Sequence, residues 1–317
     1  MKAVIYTSVP LDQPIARQLS QLPAGIELSV CRNPEEAAAE LADAEALLIG
    51  GRMSAELLEQ APRLRWIQTF SAGVDHLPLE AISRRGIILT DASGIHRIQM
   101  AEYAIWQMLN WVRRGPELAR LQAQASWNHR LEVGELHGCA VGIVGAGEIG
   151  RAVARKARAF DMTVLAYNRS GSPVPEADRL YTGRQGLHEL LAASDFVVVA
   201  LPLTPETNGL IGSEELRRMK PGAFLVNLAR GSVVRESDLI AALRDGTIAG
   251  AGLDVFEREP LPPESPLWRM PNVVVTPHIA GSTPHYHDRA LALFRDNLER
   301  LAGGRPLRNV VSFEAGY

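Results

Sequence analysis

The sequence predicts an α/β fold made of two doubly wound parallel-sheet domains. Short apolar segments alternate with charged helical segments along most of the chain, and this alternation starts twice, near residue 3 and near residue 140. The length of 317 residues also favours two domains at about 150 residues each. Strand, helix and strand in repetition pair in parallel with right-handed crossovers. We therefore expect two such domains with a cleft between them.

The first series of elements runs from the N-terminus to about Thr90. Its strands are short and apolar, and the segments between them have helical periodicity. We predict strands at Ala3–Tyr6, Glu27–Val30, Ala46–Ile49, Trp66–Thr69 and Ile87–Leu89, and helices at Leu11–Gln21, Pro34–Leu41, Ser54–Gln60 and Leu79–Arg84.

The second series begins near Ala140, and two long helices flank it. One helix, Ala101–Val112, follows Ser93-Gly94, and the last, Pro284–Leu301, ends at Gly303-Gly304 as a helix stop does. If the last helix returns the chain to the first domain, that domain is discontinuous and comprises 1–98 and 285–317, and the second domain comprises 99–284. We predict strands in the second series at Ala140–Val144, Thr163–Tyr167, Phe196–Ala200, Ala223–Asn227, Gly250–Asp254 and Val273–Thr276, with helices between them.

Composition and charge exclude several classes of protein. The net charge of -3 leaves no basic excess for nucleic acid or an anionic membrane. Only Cys31 and Cys139 are present, without neighbouring ligands, so we expect buried cysteines and neither a disulfide framework nor a metal site. The segment Met1–Tyr6 lacks a signal-peptide core, and no apolar run approaches the ~18 residues that span a bilayer. We therefore expect a cytoplasmic protein.

A glycine-rich loop follows the first strand of the second series. The predicted strand Ala140–Val144 leads directly into Gly145, Gly147 and Gly150, and a helix is predicted at Arg151–Phe160. The first glycine permits a tight turn, the second lets backbone N–H groups reach a pyrophosphate, and the third allows helix and strand to pack closely. A plain glycine turn is the alternative. The order of strand, triplet and helix favours dinucleotide binding at a helix N-terminus.

The residues after the next strand bear on the choice of dinucleotide. An acidic residue at this place binds the 2′-hydroxyl of NAD. The chain instead has Asn168-Arg169-Ser170, which offers a cation and a hydroxyl group for a 2′-phosphate. The sequence therefore predicts a preference for NADP, with NAD as the alternative cofactor, although Arg169 as a solvated turn residue is the competing interpretation.

Three polar segments follow later strands of the second series, where ligands bind in open α/β sheets. They are Asn227–Gly231, Gly252–Pro260 and Thr276–Gly281. With them, the sequence closely resembles the D-isomer-specific 2-hydroxyacid dehydrogenases, and most of all the glyoxylate and hydroxypyruvate reductases. The resemblance covers nearly the whole chain and implies Rossmann-like and flavodoxin-like domains. Further matching segments are Phe70-Ser71-Ala72-Gly73-Val74-Asp75, Met100-Ala101-Glu102 and Leu201-Pro202-Leu203-Thr204.

The residue types at these strand ends suit the reduction of a 2-oxo acid. Hydride delivery to the carbonyl carbon builds negative charge on its oxygen, and His278 is suited to donate the proton. Glu259 would orient His278 and favour its charged form, and Arg230 would clamp the substrate carboxylate with its planar fork. Taken singly, each residue is more often a structural or solvated side chain. Their positions at successive strand ends favour a catalytic trio, and the resemblance implies the same roles.

Other site residues are expected from the same patterns. Backbone N–H groups at Ala72, Gly73 and Val74 are expected to bind the substrate carboxylate, as the resemblance implies and as a nest of amides would do; a plain turn is the alternative. Asp254 resembles the residue that holds the nicotinamide carboxamide. The expected cofactor-binding residues are Gly145, Ala146, Gly147, Glu148, Ile149, Gly150, Asn168, Arg169, Ser170, Leu201, Pro202, Thr207, Leu228, Ala229, Arg230, Asp254, His278 and Gly281.

The expected activity is hydride transfer between NADPH or NADH and a small 2-oxo acid, with glyoxylate or hydroxypyruvate as substrate. Relatives that act on formate, phosphite or phosphoglycerate are alternatives. Formate dehydrogenases that resemble the same scaffold carry Gln where Glu259 stands, so Glu259 argues against formate as the substrate. A nicotinamide-sensing corepressor is the alternative from another class. The resemblance also implies a homodimer, in which Trp127 and Trp268 would line a pocket or a subunit contact unless they serve packing alone.

Overall fold

A computed structural model of the chain describes residues 1–8, 25–74 and 76–313. The predicted helix Leu11–Gln21 and the residue Asp75 lie outside these ranges. The chain divides into two compact units: unit 1 is Met1–Ile95 with Thr283–Tyr317, and unit 2 is His96–Ser282. Each unit contains one parallel sheet with helices, so the predicted α/β class with two parallel-sheet domains is confirmed.

Among its described residues, unit 1 has a five-stranded parallel sheet in the order β2-β1-β3-β4-β5. Apolar segments such as Leu47–Ile49 form its inner strands and are almost fully buried, as expected for a sheet covered on both faces. The elements are β1 (Lys2–Thr7), β2 (Glu27–Cys31), α1 (Pro34–Leu41), β3 (Ala46–Gly50), α2 (Ala55–Glu59), β4 (Trp66–Thr69), α3 (Leu79–Arg84), β5 (Ile88–Thr90) and, numbered along the whole chain, α10 (Tyr286–Ala302).

Local sequence signals explain where the unit 1 helices begin. Asn33 caps α1 by accepting a hydrogen bond from the Glu36 N–H at 2.9 Å, and Ser54 caps α2 in the same way through Leu57. Helix α10 packs on the sheet through Phe294, whose ring stacks on Trp66 with centroids 5.1 Å apart. The C-terminal helix is therefore part of the core of unit 1.

Unit 2 has a seven-stranded parallel sheet among the described residues, in the order β12-β11-β10-β9-β6-β7-β8. The chain passes outward in one direction through β7 and β8 and in the other through β9 to β12, so β6 and β9 flank the switch point of the topology. The elements are α4 (Arg97–Val112), α5 (Gly115–Ala123), β6 (Ala140–Val144), α6 (Glu148–Arg158), β7 (Thr163–Tyr167), β8 (Arg179–Tyr181), α7 (Gly183–Ala193), β9 (Phe196–Val199), α8 (Ser213–Arg218), β10 (Phe224–Asn227), α9 (Glu236–Arg244), β11 (Gly250–Leu253) and β12 (Val273–Val275).

Some sequence expectations for unit 2 were wrong or incomplete. Strand β8 was not predicted, because three residues at a sheet edge are too short for a periodic signal. Helix α5 was also missed; it starts at Gly115-Pro116, a dipeptide that usually marks a turn, although proline suits the first helical turn. Cys31 is buried as expected, but Cys139 is only partly buried.

The ends of several helices differ from the predicted ones by a few residues. Helix α6 begins at Glu148, not Arg151, and α4 begins at Arg97, not Ala101. Helix α10 runs two residues later at its start and one later at its end than predicted, and Gly303 and Gly304 terminate it as expected. Across the ranges that the structure describes, no helix combines the length and the apolar character needed to cross a bilayer.

Candidate active site

The candidate site residues of unit 2 lie along one edge of its sheet. All paired strands of this sheet are parallel, so their carboxyl ends share that edge. In spatial order, the edge carries the segments after β12, β11, β10, β9, β6 and β7. These segments contain His278, Asp254 with Glu259, Arg230, Leu201, Gly145 and Asn168, respectively.

The glycine loop between β6 and α6 has the geometry of a phosphate-binding turn. Gly145 has φ of 108°, and a Cβ added there would lie 2.5 Å from the Ala200 carbonyl oxygen. A Cβ on Gly150 would lie 2.1 Å from the Gly145 oxygen. Both positions therefore require glycine for the fold itself.

Gly147 differs from the other two glycines because nothing lies within 4 Å of an added Cβ. It is the N-cap of α6 and has no side chain to cap the helix. The first N–H groups of α6, from Glu148 to Gly150, have no partner within the helix. The N–H groups of Gly145 and Ala146 donate to the Tyr167 oxygen at 3.0 and 3.1 Å, which fixes the turn. This open, positively polarised helix end fits the pyrophosphate of a dinucleotide.

The turn after β7 is ordered by its own side chains. The Asn168 amide accepts from the Gly171 N–H at 2.7 Å and donates to the Ser172 oxygen at 2.8 Å. Ser170 Oγ donates to Ser172 Oγ at 2.8 Å. Arg169 and Ser170 are exposed on this turn, and the electrostatic field of Arg169 contributes to a lowered pKa of Glu206, after hydrogen bonds from Thr204 and the Glu206 backbone. The turn thus presents a cation and a hydroxyl group without a carboxylate of its own.

The segment after β9 closes against the glycine loop. Leu201 Cδ2 would lie 2.9 Å from a Cβ on Gly145. Thr207 Oγ1 donates to the Pro202 oxygen at 2.7 Å and accepts from the Thr204 N–H at 2.7 Å. The Thr207 hydroxyl therefore holds the 202–207 loop in place beside the expected dinucleotide site.

Arg230 follows β10 on a tightly packed turn. Asn227 Oδ1 accepts from the Ala229 N–H at 3.1 Å, and its Nδ2 donates to the Arg230 oxygen at 3.2 Å. A Cβ on Gly231 would lie 1.8 Å from the carbonyl carbon of Phe256, so the turn after β10 packs against the segment after β11. Leu228 and Ala229 are buried, whereas Arg230 is exposed. The backbone of the turn is thus fixed, and Arg230 Nη1 donates to the Ala229 oxygen at 2.9 Å.

His278 and Glu259 form a direct pair. His278 Nδ1 and Glu259 Oε2 are 2.7 Å apart, and Glu259 Oε1 accepts from the Phe256 N–H at 3.0 Å. Both carboxylate oxygens of Glu259 are thus in use. No partner for His278 Nε2 exists within the described ranges 1–8, 25–74 and 76–313, and about half of the side chain is exposed. The ring is oriented at one nitrogen and open at the other.

Asp254 holds the loop that carries His278. It is 2% exposed, and its carboxylate accepts from the Ile279 N–H at 2.9 Å and the Ala280 N–H at 2.8 Å. Its backbone oxygen accepts from the His278 N–H at 2.9 Å. His278 has φ of 53°, a left-handed conformation that non-glycine residues rarely adopt. Asp254 therefore supports an unusual backbone at His278, a connection that sequence reasoning did not find.

A buried hydrogen-bond chain links Asp254 to helix α4. Thr276 Oγ1 donates to Asp254 Oδ1 at 2.6 Å, so the Tyr103 hydroxyl must donate to Thr276 Oγ1, and Gln107 Nε2 donates to the Tyr103 oxygen. Burial raises the pKa of Tyr103 to about 12, and this effect outweighs the lowering by its hydrogen bonds with Thr276 and Gln107. Sequence reasoning missed these residues; the only available signal was a tyrosine and a glutamine one helical turn apart in an apolar helix.

Gly281 lies at the other end of the same loop. Its oxygen accepts from Gln99 Nε2 at 3.0 Å, and a Cβ there would lie 3.2 Å from His96 Nδ1. Both partners lie at or near the N-terminus of α4. Helix α4 thus fixes the loop on both sides of His278.

In unit 1, the segment after β4 has the features of an anion nest. Ser71 Oγ donates to the Gly73 oxygen at 2.7 Å, and the Ser71 oxygen accepts from Thr69 Oγ1 at 2.6 Å. Within the described part of the chain, the N–H groups of Ala72, Gly73 and Val74 have no acceptor. Such a row of unpaired amides suits a carboxylate.

The sheet edge of unit 2 brings several chemically active groups together. In the residues that the structure describes, no group of three or more His, Cys, Asp or Glu side chains is arranged to hold a metal ion. An imidazole paired with a carboxylate, an exposed guanidinium and a pyrophosphate cradle lie on one sheet edge. This combination suits reduction of a carbonyl beside a carboxylate.

Comparison with known proteins agrees with this geometry. Residues 105–280 match the model of the D-isomer specific 2-hydroxyacid dehydrogenase, NAD binding domain. The chain is 38% identical over 318 aligned positions to a glyoxylate/hydroxypyruvate reductase B of Yersinia enterocolitica, covering 98% of this chain and 96% of that protein. It is 36% identical to a D-3-phosphoglycerate dehydrogenase of Archaeoglobus fulgidus, but spans only 55% of that protein's length.

A solved structure shows the same architecture. The NADPH-dependent glyoxylate/hydroxypyruvate reductase of Sinorhizobium meliloti, in complex with NADP and sulfate, superposes with a TM-score of 0.86 at 30% identity, covering 100% of both chains. The Rossmann-like sheet, the glycine loop and these relationships agree. The chain belongs to the D-isomer-specific 2-hydroxyacid dehydrogenases, a family of NAD(P)-dependent oxidoreductases.

Proposed function

We propose that the protein reduces a small 2-oxo acid, glyoxylate or hydroxypyruvate, to its D-2-hydroxy acid, with NADPH preferred over NADH. The observation that carries this proposal is the 2.7 Å pair of His278 Nδ1 and Glu259 Oε2, which leaves Nε2 open. The names of the relatives, glyoxylate/hydroxypyruvate reductases among them, support the choice of substrate.

His278 acts as the proton donor in this proposal. Glu259 accepts a hydrogen bond from His278 Nδ1–H, so the N–H group at Nε2 is directed to the substrate carbonyl oxygen. Because Glu259 is itself held by the Phe256 N–H, the ring has a fixed direction.

Arg230 binds and polarises the substrate. Its planar guanidinium forms two parallel hydrogen bonds to a carboxylate more readily than a lysine does. The Asn227 amide and the close packing of Gly231 hold the turn from which Arg230 extends. In unit 1, the amides of Ala72, Gly73 and Val74 are proposed to bind the substrate carboxylate, as the family resemblance implies.

The glycine loop, Thr207 and the turn at Asn168–Ser170 are proposed to bind NADPH. When bound, the nicotinamide supplies the hydride for the carbonyl carbon. Gly145, Gly147 and Gly150 provide the open helix end for its pyrophosphate. Arg169 and Ser170 suit a 2′-phosphate because no carboxylate lies on that turn to repel it. Related structures in complex with NADPH or NADP support this preference.

The test is steady-state oxidation of NADPH and of NADH with glyoxylate, hydroxypyruvate and other 2-oxo acids. We expect turnover with a higher kcat/KM for NADPH, and loss of that preference in Arg169→Ala. In His278→Ala, kcat should fall by about a hundredfold or more, since general acid catalysis typically contributes that much. NADPH affinity, measured by fluorescence titration, should fall much less than kcat, because the other expected cofactor-binding residues remain in place.

Each outcome has a separate meaning. Equal or better kcat/KM with NADH would contradict the cofactor preference alone. Retained activity in His278→Ala would remove His278 from the mechanism. Binding of NADPH without turnover of any 2-oxo acid would instead favour a nicotinamide-sensing role.

A further inference from the structure

Two glutamates of unit 2, Glu236 and Glu257, bind each other's backbone. Glu236 is the first residue of helix α9, and Glu257 lies in the segment after β11. The Glu236 N–H donates to Glu257 Oε1 at 2.9 Å, and the Glu257 N–H donates to Glu236 Oε2 at 3.2 Å. The side chain of each residue thus holds the main chain of the other.

This reciprocal pair supplies a cap for helix α9. The N-cap residue is Arg235, whose side chain has no acceptor for the helix N–H groups. The first N–H groups of a helix have no partner within it, and a carboxylate is favoured at this positively polarised end. Glu257 satisfies one of these groups from a segment 21 residues away along the chain. Helix α9 is therefore fastened to the segment after β11.

The segment that contains Glu257 also carries Glu259. A Cβ on Gly231 would lie 1.8 Å from the Phe256 carbonyl carbon and 2.3 Å from the Glu257 nitrogen, so the turn after β10 packs directly on this backbone. The Phe256 N–H donates to Glu259 Oε1 at 3.0 Å, and Glu259 Oε2 lies 2.7 Å from His278 Nδ1. Because Glu257 directly follows Phe256, a shift of the backbone at Glu257 would displace the donor that orients Glu259.

Electrostatics does not favour two carboxylates at this place. Glu236 is partly buried beside a small cavity, whose other described lining residues are uncharged, Asn227 and Leu239 among them. Burial raises the pKa of the Glu236 carboxyl above its ordinary value; the hydrogen bond from the Glu257 backbone lowers it, and the negative charge of Glu257 raises it. Ionisation of Glu236 therefore lowers stability as the pH rises through this raised pKa. Positioning explains the pair better than stability does.

We propose that Glu236 is a positioning residue for the proton donor: through Glu257 it fixes the segment that carries Glu259, and Glu259 orients His278. This inference rests on the proposed function, because it concerns the geometry of that reaction. Among the described residues, Glu236 forms no hydrogen bond with Glu259 or His278 itself. Its task is to accept a hydrogen bond, so the position needs a side-chain oxygen and not a negative charge.

The test compares Glu236→Ala and Glu236→Gln in the steady-state reduction of glyoxylate. Glu236→Ala removes the acceptor of the Glu257 N–H, and we expect kcat to fall by about tenfold, because small displacements of catalytic groups cost that much or more. KM for NADPH should change less than about twofold, since the glycine loop is untouched. Glu236→Gln keeps an acceptor oxygen and should retain the kcat of wild type. Its Tm should be at least as high, because the repulsion from Glu257 is removed.

Asp238→Ala is the matched control for the alanine variant. Asp238 lies in the same first turn of α9, and its Oδ2 accepts from the Ser213 N–H of α8 at 2.9 Å. The control also removes a carboxylate and one backbone hydrogen bond from the helix start, but it leaves the segment after β11 in place. A general weakening of the helix start affects both variants, whereas only Glu236→Ala should lose kcat. An equal loss in both alanine variants, or a kcat of Glu236→Gln as low as that of Glu236→Ala, overturns the inference.

Amide hydrogen exchange separates this inference from the proposed function. The Phe256 N–H donates to Glu259, which these substitutions do not alter, so its exchange reports whether the segment has loosened. We expect faster exchange at Phe256 in Glu236→Ala than in wild type or Asp238→Ala, measured by NMR spectroscopy. This result supports the inference even if no 2-oxo acid is turned over.

Unchanged exchange at Phe256 overturns the inference, and reduction of glyoxylate by the same protein upholds the proposed function. If Glu236→Ala does not fold, Glu257→Ala replaces it, because this variant removes the other half of the reciprocal pair. An unchanged kcat in Glu257→Ala overturns the inference as well.

Discussion

At the scale of single residues, the backbone of His278 matters as much as its ring. A left-handed conformation at a non-glycine residue persists only where the surroundings determine it. Here the Asp254 oxygen binds the His278 N–H, and the Asp254 carboxylate binds the next two amides. Asp254 therefore fixes the orientation of the His278 side chain through the backbone. Within the described residues, the Asp254 carboxylate forms no hydrogen bond with the imidazole ring itself.

The carboxylate of Glu259 has two acceptor tasks, and glutamine can perform only one of them. In Glu259→Gln, a single oxygen must serve either His278 Nδ1 or the Phe256 N–H, and the negative charge is lost. We expect kcat for 2-oxo acid reduction to fall by about tenfold to a hundredfold, with a smaller change in KM for NADPH. Steady-state kinetics with a saturating 2-oxo acid measures this.

Glu264→Gln is the matched control for that substitution. Glu264 is an exposed carboxylate in the same loop region and should tolerate the change. If Glu259→Gln retains the kcat of wild type, or if Glu264→Gln loses as much, the pair with His278 does not support proton transfer.

For single residues, the sequence predicts the position of a side chain well when the residue lies in the segment directly after a strand. Arg230, Glu259 and His278 were placed on one sheet edge by strand order alone, and the structure brings Glu259 to His278. Their catalytic roles remain predictions. The use of the Asp254 carboxylate for the loop was beyond sequence reasoning, because a strand-end aspartate fits a ligand contact and a loop contact equally well.

At the scale of elements, helix α4 supports the loop after β12. The donors run in one direction, from Gln107 through Tyr103 and Thr276 to Asp254. Gln107 Oε1 has no hydrogen-bond partner among the described residues, so this series of hydrogen bonds begins at a residue with one unsatisfied buried acceptor.

Removal of the tyrosine hydroxyl should test this support. In Tyr103→Phe, the Thr276 hydroxyl loses its donor and Gln107 Nε2 loses its acceptor, which costs about 1–3 kcal/mol for the buried group left unpaired. We expect a lower Tm, and a decrease in kcat that exceeds any change in NADPH affinity, because the His278 loop loosens while the glycine loop does not. Thermal denaturation and steady-state kinetics give the two readouts.

Tyr181→Phe serves as the control, since its ring contacts the Arg179 guanidinium while its hydroxyl forms no hydrogen bond in the described part of unit 2. A Tyr103→Phe variant with lower Tm but unchanged kcat would assign the chain a purely structural role.

The bounds of strands and helices were predictable where burial produces a long, regular pattern of apolar residues. The central strands of both sheets lie within one residue of their predicted ends, because each is a run of buried apolar residues between polar turns. Edge strand β8 has three residues and helix α5 begins at Gly-Pro, so neither carried a periodic signal. Helix α6 starts three residues early because its first turn lies within the glycine loop itself.

At the scale of the whole molecule, unit 2 exposes several large apolar side chains from one segment. Trp127 is 91% exposed, an unusual state for a tryptophan, and Trp106 is 45% exposed. Contiguous exposed apolar surface commonly marks a protein interface. The same segment, residues 98–133, also exposes Ile98, Leu118 and Val133.

We expect the protein to form a homodimer that buries this segment, with Trp127 as a main contact. Tryptophan is a frequent energetic centre of interfaces, and its truncation there typically costs about 2 kcal/mol or more. Trp127→Ala should therefore weaken the dimer at least about tenfold, since about 1.4 kcal/mol corresponds to that factor. Analytical ultracentrifugation over a concentration series measures the change.

Trp268→Ala is the control, because Trp268 is half exposed but its Nε1 donates to the Pro262 oxygen at 3.0 Å within its own loop. A wild type that sediments as a monomer, or equal dimer affinities in both variants, would show that this segment is exposed for another reason.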